Sequence, residues 1–194
     1  MRRILSVLSL TLVLPLAACF DVDMSLSFPD EDNVEMKSVM TASPEFYAMA
    51  SSDGEDMCEN GEGTVQDDGS YICTEVETGS IDELMADPDK AQGMTIERRD
   101  GGLLFVALDM GDLTSEMAMP EEEVEDSMKD MLREAFAGHA ITVNVAGSEI
   151  VETNGTISDD GKTATFEIPL TVLLDNPADV DLPDAFTVLL KPGK

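Results

Sequence analysis

Residues 22–28 read Val-Asp-Met-Ser-Leu-Ser-Phe, with an apolar side chain at every second position. This period of two is typical of a half-buried β-strand, which turns one face to a core and the other to water. An acidic turn over Pro29–Asn33 follows, and Val34–Thr41 is predicted to be the returning strand. The sequence therefore predicts an antiparallel sheet as the base of the fold.

The segment before this strand has the composition of an export signal. Arg2 and Arg3 give it a positive start, and Ile4–Leu16 is an apolar run. A membrane-spanning helix needs roughly 20 apolar residues, so this run is too short to be one. The ending Leu16-Ala17-Ala18-Cys19 resembles the lipobox of bacterial lipoproteins. That resemblance implies a diacylglyceryl group on the sulfur of Cys19, cleavage before this residue, and acylation of the new amino terminus.

We accordingly divide the chain into a lipoprotein signal peptide, residues 1–18, and a single acidic extracytoplasmic domain, residues 19–194. The alternative is an ordinary cleaved signal that ends in a chance cysteine. Phe20 and Asp21 alone separate the anchor from the first strand, a reach of about 7 Å, so we expect the domain to lie close to a membrane through its acyl chains. Because Phe20 rather than aspartate follows Cys19, we expect the outer membrane, facing the periplasm.

Acidic residues dominate the composition. Asp and Glu total 41 against 11 Lys and Arg, and the formal net charge is −30 at pH 7. Such a surface repels nucleic acid and anionic lipid, so we expect neither as an electrostatic partner. The carboxylates form either a solvated surface suited to salt or sites for divalent cations. Asp30-Glu31-Asp32, Asp53–Asp56 and Asp67–Gly69 lack the spacing of an EF-hand loop, so we expect no metal site and no cofactor.

Cys58 and Cys73 remain once Cys19 is assigned to lipid. Export places them where disulfides persist. A redox pair would need C-x-x-C spacing, and a zinc site would need four ligands, where the exported chain supplies two thiols and one histidine. We therefore predict a structural disulfide, which closes a loop of about 15 residues and contributes about 3 kcal/mol.

The longest predicted helix is Glu121–Ala137. Its apolar residues share one face, acids fill its first turn, and Gly138 supplies a left-handed stop. We expect it to pack across one face of the sheet. Its methionines, with two just upstream, are either plain core, as is usual at this spacing, or an adaptable groove for an acyl chain or a partner. The candidate groove residues are Met117, Met119, Val124, Met128, Met131, Leu132 and Phe136.

The other segments complete an α+β fold: a mainly antiparallel sheet, one principal amphipathic helix on one face, and two or three short helices. Short helices are expected after Ser43, after Ser80 and at 169–174. The 103–108 strand is apolar on both faces and should lie in the middle of the sheet. Gly155 is expected to be a bulge within one strand, with the chain reversal at Asp160-Gly161. The remaining strands are predicted at 64–66, 71–76, 94–99, 141–145, 149–157, 163–168 and 185–190.

Three C-terminal segments carry a family resemblance: Ile141–Val145, Val151–Gly155 and Gly161–Ile168. Their order, a strand, a glycine turn, an Asn-Gly element and a hairpin arm with an aromatic residue, resembles the C-terminal half of LppM-like bacterial lipoproteins. The anchored first strand, Cys19–Phe28, resembles the start of that family. The resemblance implies an extracytoplasmic α+β domain with a role in lipid or envelope handling, and it carries over no catalytic residue.

The one histidine, His139, follows Gly138 at the end of the predicted helix. A histidine in such a place is usually stabilised by the helix dipole and is seldom a general base. No nucleophile motif or metal-ligand cluster accompanies it. We therefore expect a non-enzymatic envelope lipoprotein that binds a lipid or a protein partner close to the membrane. The alternatives are a structural or assembly lipoprotein with an acidic interaction face and a calcium-responsive module.

Overall fold

The computed structural model describes residues 20–51, 57–88, 90–117, 126–174 and 182–193. The expected signal peptide and Cys19 lie outside these residues. Within them the chain forms eleven strands in two sheets, with short helices between the strands. The predicted α+β class with mainly antiparallel strands is confirmed, although one sheet was expected where there are two.

The larger sheet has seven strands in the order β3-β4-β2-β1-β7-β10-β9. Their bounds are β1 Phe20–Ser27, β2 Asn33–Ala42, β3 Glu62–Val65, β4 Tyr71–Ser80, β7 Ala140–Ala146, β9 Thr156–Ile157 and β10 Thr163–Pro169. Neighbouring strands are antiparallel except β1 and β7, which run parallel. The predicted hairpin of residues 22–28 and 34–41 therefore occupies the centre of this sheet.

The smaller sheet has four antiparallel strands in the order β5-β6-β11-β8. Their bounds are β5 Met94–Arg99, β6 Leu103–Asp109, β8 Glu149–Thr153 and β11 Ala185–Lys191. Strand β6 lies between two neighbours, as its apolar composition predicts, and its Leu104 and Val106 are buried. The core lies between the inner faces of the two sheets, where Phe28, Val145 and Phe186 are also buried.

Four short α-helices and one 3-10 helix join the strands. Their bounds are α1 Pro44–Ala50, α2 Ile81–Ala86, α3 Met110–Met117, α4 Asp126–Phe136 and the 3-10 helix Leu170–Leu174. The predicted caps are present, since the backbone N–H of Phe46 donates to Ser43 Oγ at 3.2 Å and that of Glu83 to Ser80 Oγ at 3.1 Å. Helix α3 was not predicted, and its first turn is stabilised by Asp109, whose Oδ1 accepts from the backbone N–H of Asp112 at 2.9 Å.

Helix α4 is the described part of the predicted Glu121–Ala137 helix, and Gly138 ends it with a φ of +89°. The helix contacts the 3-10 helix, and the ring of Phe136 lies 6.1 Å from that of Phe20 at the start of β1. Its buried side is narrower than predicted, because Met131 is 62% exposed. The contacts of α4 cover the side that carries Leu132 and Phe136, and they do not extend to Met131.

The predicted bulge at Gly155 is wrong: the chain leaves one sheet there and enters the other. Strand β8 before it pairs with β11 of the smaller sheet, and β9 after it pairs with β10 of the larger sheet. The side chain of Asn154 replaces strand pairing at the crossing, because its Nδ2 donates to the carbonyl of Ala185 and its Oδ1 accepts from the N–H of Thr187, each at 2.8 Å. The reversal at Gly161 is as predicted, with a φ of +71°.

Candidate functional site: a cleft between the two sheets

A cavity of about 430 Å³ lies between the two sheets, at the end where α3 begins. Cavities of roughly 300–1,000 Å³ are typical of small-molecule sites. Its floor is apolar and comes from both sheets: Met24, Leu26, Met36 and Val143 on the larger sheet, and Met94 and Leu108 on the smaller one. We refer to this cavity as the inter-sheet cleft.

Strand register explains why these side chains meet. Met24 lies beside Val143, Leu26 lies beside Met36, and Met94 pairs with Leu108. Residues that are neighbours across a ladder share a face of the sheet, so each pair points into the space between the sheets. The three methionines are half-buried and pack against the core. Their unbranched side chains are flexible and adapt to irregular partners.

The mouth of the inter-sheet cleft is polar and mostly acidic. Its residues are Ser38, Asn60, Glu75, Glu77, Lys90, Gln92, Asp109 and Asp112. Glu75 lies opposite Ser38, and Glu77 lies opposite Met36, so both glutamates belong to the inner face of the larger sheet. Lys90 forms an ion pair with Glu77 across the mouth. The hydrogen bond and the charge of Glu77 raise the pKa of Lys90 above its ordinary value.

Strand β4 reverses the usual arrangement of polar and apolar side chains at this mouth. Val76 lies on the outer face, next to Lys37, and is 56% exposed, whereas its neighbours Glu75 and Glu77 are on the inner face. Ser25 and Lys37 also border the cleft, but alternation along β1 and β2 places their side chains on the outer face. The mouth is thus the place where the inner face of the sheet changes from apolar to charged.

The disulfide between Cys58 and Cys73 holds a turn against the same strand, with the two Cα atoms 5.6 Å apart. Gly61 at the end of this turn touches β4 so closely that a Cβ there would lie 2.6 Å from Cγ of Glu75. Strand β3 begins after the turn and pairs with β4 only from Thr74 back to Tyr71. Among the described residues, no strand pairs with the outer edge of β4 beyond Thr74.

His139 forms a separate polar contact, with the first strand. Its Nδ1 lies 3.1 Å from both carboxylate oxygens of Asp21, and the backbone N–H of Ala140 donates to Asp21 Oδ1 at 3.2 Å. The histidine side chain is 20% exposed. This contact joins β1 to the beginning of β7, directly after the end of α4.

The predicted groove residues whose side chains are described, Met131, Leu132 and Phe136, do not line the cleft. Phe136 is buried in the core and Leu132 packs against it, whereas Met131 is exposed. The side chains of Met117, Met119, Val124 and Met128 lie outside the described part of the chain. The cleft methionines were missed because each was interpreted only as one apolar position of a strand. The available signal was an unbranched methionine where strands favour β-branched residues.

Two other kinds of feature are absent from the described ranges. Those ranges contain no group of three or more His, Cys, Asp or Glu side chains arranged to hold a metal ion. They also contain no helix with the length and apolar character needed to cross a membrane.

No protein-family model and no curated protein matches this chain. Among solved structures, the chain is similar to the NMR structure of the folded domain of the LppM protein of Mycobacterium tuberculosis. The two share 16% sequence identity over 90% of this chain and 91% of that chain, with a TM-score of 0.47. These values leave the function to be argued from the cleft and from the sequence.

Proposed function

We propose that this chain is a non-enzymatic, lipid-anchored protein of the bacterial envelope that binds an apolar ligand in the inter-sheet cleft. The observation that carries the proposal is the cavity of about 430 Å³ with a floor of methionine and branched aliphatic side chains. An alkyl chain suits such a floor, because each buried methylene contributes about 0.8 kcal/mol. The flexible side chains of Met24, Met36 and Met94 allow chains of different shape to fit.

The lipobox at Leu16–Cys19 supports the anchor. Two or more acyl chains on Cys19 would make membrane attachment stable. Strand β1 begins at Phe20, the next residue, so the domain would lie against the bilayer that supplies its ligand. Phe20 after the cysteine favours the periplasmic face of the outer membrane as the location.

No catalytic step belongs to the proposal. The described residues that line the cleft are apolar, amide, carboxylate, hydroxyl and lysine side chains, and none forms the nucleophile–base pair of a covalent mechanism. The proposed activity is therefore capture and release of an apolar molecule at a membrane surface.

Photocrosslinking of the full-length, lipidated protein tests the proposal. The protein is placed in neutral phosphatidylcholine vesicles with hexadecanol that carries a diazirine in its alkyl chain, irradiated, and digested for mass spectrometry. Adducts are expected on the peptides that contain Met24, Met36 and Met94. Adducts spread evenly over the surface would contradict a specific cleft.

A cleft-filling variant sharpens this test. Met94→Trp places a large ring in the cleft from the edge strand β5, and it should reduce adducts on the other cleft peptides by about tenfold, a loss of about 1.4 kcal/mol in binding. Val65→Trp is the matched control, because Val65 is exposed on the distant edge strand β3. Equal labelling of both variants, with unchanged circular dichroism, would refute binding in the cleft.

A further inference from the structure

We infer that the ligand of the inter-sheet cleft is an amphiphile with a cationic, amine-type polar end, and that the carboxylates of Glu75 and Glu77 bind that end. This inference rests on the proposed function and specifies its ligand. It does not follow from the acidity of the chain as a whole. It follows from where these two carboxylates lie relative to the apolar floor.

The usual pattern of strand side chains is reversed in β4. Its inner face begins with the buried Tyr71 and Cys73 and continues with Glu75 and Glu77, whereas the exposed position between the two glutamates is Val76. Glu77 is 53% exposed and pairs with Lys90, so this face of β4 places hydrated carboxylates at the rim of the apolar floor, where the polar end of a bound amphiphile would lie.

Glu75 and Glu77 both lie close to the apolar floor of the cleft. Glu77 lies opposite Met36 in the ladder, and Glu75 lies one pair further along, opposite Ser38. Partners across an antiparallel ladder have Cβ atoms about 4.5–5.5 Å apart. A ligand whose alkyl chain lies on Met36 therefore has its polar end next to Glu77. Glu75 is the next residue on the same face of β4.

The mouth already holds one ammonium group, which belongs to the protein itself. Lys90, from the segment between α2 and β5, pairs with Glu77. Both side chains are about half exposed, and exposed ion pairs of this kind are weak and screened by salt. The amine of a ligand can therefore take the place of Lys90 on Glu77.

The charges around the mouth exclude the opposite kind of ligand. Asp109 and Asp112 lie on the other side of the mouth, so four carboxylates surround it. Two described lysines border the cleft. The ammonium group of Lys90 lies at the mouth, whereas the side chain of Lys37 is on the outer face. An anionic headgroup would meet like charge there, and like-charge contact is a common means of rejecting a wrong ligand.

The turn closed by the disulfide packs against one side of Glu75. A Cβ at Gly61 would lie 2.6 Å from Cγ of Glu75 and 3.0 Å from Sγ of Cys58. The loop that contains Asn60 and Gly61 thus forms one wall of the mouth.

Competition between three additives of equal chain length tests the inference. Hexadecylamine, hexadecanol and hexadecanoate are added in turn to the photocrosslinking reaction described above, at low salt and neutral pH. Hexadecylamine should halve cleft labelling at a concentration about tenfold lower than hexadecanol does, because a charge-assisted hydrogen bond supplies the difference. Hexadecanoate should compete least.

Variants distinguish binding of the amine in the cleft from its partitioning into the vesicle. Glu75→Gln with Glu77→Gln should abolish the advantage of hexadecylamine over hexadecanol and leave competition by hexadecanol intact. Lys90→Met should enlarge that advantage, since it removes the competing ammonium. Glu97→Gln with Glu149→Gln is the control, because it removes two negative charges from strands β5 and β8, outside the cleft lining.

The outcomes distinguish this inference from the proposed function. Equal competition by all three additives would overturn the amine assignment and leave the apolar cleft standing, whereas no competition by any of them would overturn the proposed function itself. Inward charges at an unpaired strand edge, such as the outer edge of β4 beyond Thr74, also prevent edge-to-edge pairing between molecules. If the double glutamine variant dimerises and still prefers the amine, the glutamates serve that protective purpose and the inference is wrong.

Discussion

Gly155 shows how one residue can decide the path of the chain. A Cβ at this position would lie 2.5 Å from the carbonyl oxygen of Thr165 and 2.7 Å from Cε2 of Phe186. These atoms belong to β10 of the larger sheet and β11 of the smaller sheet, so the glycine passes between two closely spaced strands, one from each sheet. Any side chain would push the sheets apart.

Gly155→Ala should therefore destabilise the protein by about 1–3 kcal/mol, the usual cost of overpacking a closely packed site. Urea unfolding followed by circular dichroism measures the change. Gly79→Ala in β4 is the control, because a Cβ there meets nothing within 4 Å. It should change the free energy of unfolding by less than about 0.5 kcal/mol. Similar losses in both variants would show that the crossing is less tightly packed than the structure indicates.

The element that most directly shapes the cleft mouth is the turn closed by Cys58 and Cys73. Together with Ala42 and Tyr71 these cysteines form a small second core, against which the ring of Tyr47 stacks on that of Tyr71 at 4.4 Å. Strand β3 begins only after this turn, at Glu62, and the turn places Gly61 against Glu75. The disulfide thus supports both the packing of α1 and the position of the mouth.

Replacing Cys58 and Cys73 together by serine should lower the free energy of unfolding by about 3 kcal/mol, since the opened loop adds entropy to the unfolded chain. Chemical denaturation under oxidising conditions measures it. Adding a reductant to the wild-type protein should cause a loss of similar size and should leave the variant unchanged. A reductant effect that persists in the variant would mean that the disulfide is not its cause.

Three hairpin turns use an aspartate in the same way. Hydrogen bonds from Asn33, Ser70 and Ser158 lower the pKa values of Asp30, Asp68 and Asp160, respectively, below the ordinary value. A carboxylate whose pKa is lower in the folded state stabilises that state above its unfolded pKa. This contribution is lost as the pH falls through the folded pKa.

The stability advantage of wild type over Asp160→Asn should therefore be constant near neutral pH and shrink once the pH falls below the ordinary value of 3.8. Acid affects the stability of both proteins, because the chain is so negative. The difference between their urea midpoints across this range removes that common effect. Asp159→Asn, which removes the neighbouring charge but none of these hydrogen bonds, is the control. An advantage that grows on acidification would contradict the direction of the shift.

At the scale of the whole molecule, the proposed anchor determines where the cleft works. The amino-terminal peptide of wild-type protein should begin at Cys19 and carry the added mass of a diacylglyceryl group, with an acyl chain on its amino group. Cys19→Ser removes the sulfur that forms the thioether, so the variant should lack this mass entirely. Mass spectrometry of envelope-purified protein measures both. A wild-type peptide that begins at Cys19 without lipid would identify an ordinary cleaved signal.

Local features of the fold could be predicted because each depends on a few consecutive residues. Alternation predicted β1, serine caps predicted the starts of α1 and α2, and Gly138 predicted the end of α4. The cysteine pair also followed from composition and export. Strand alternation, the serine caps and the helix-ending glycine each depend on a few neighbouring residues. The cysteine pair depends on residue type alone.

The sequence by itself determined most of the segments that form strands and the turn at Gly161, and its first residues resemble a lipoprotein signal. Only the tertiary structure decided that there are two sheets, that the chain changes sheet at Gly155, that Met131 faces water, and that Met36 and Met94 meet across a cleft. The physical reason is that a period of two shows which side chains share a face but not what lies opposite that face. The opposite surface comes from strands distant in the sequence, and their placement depends on the packing of the whole chain.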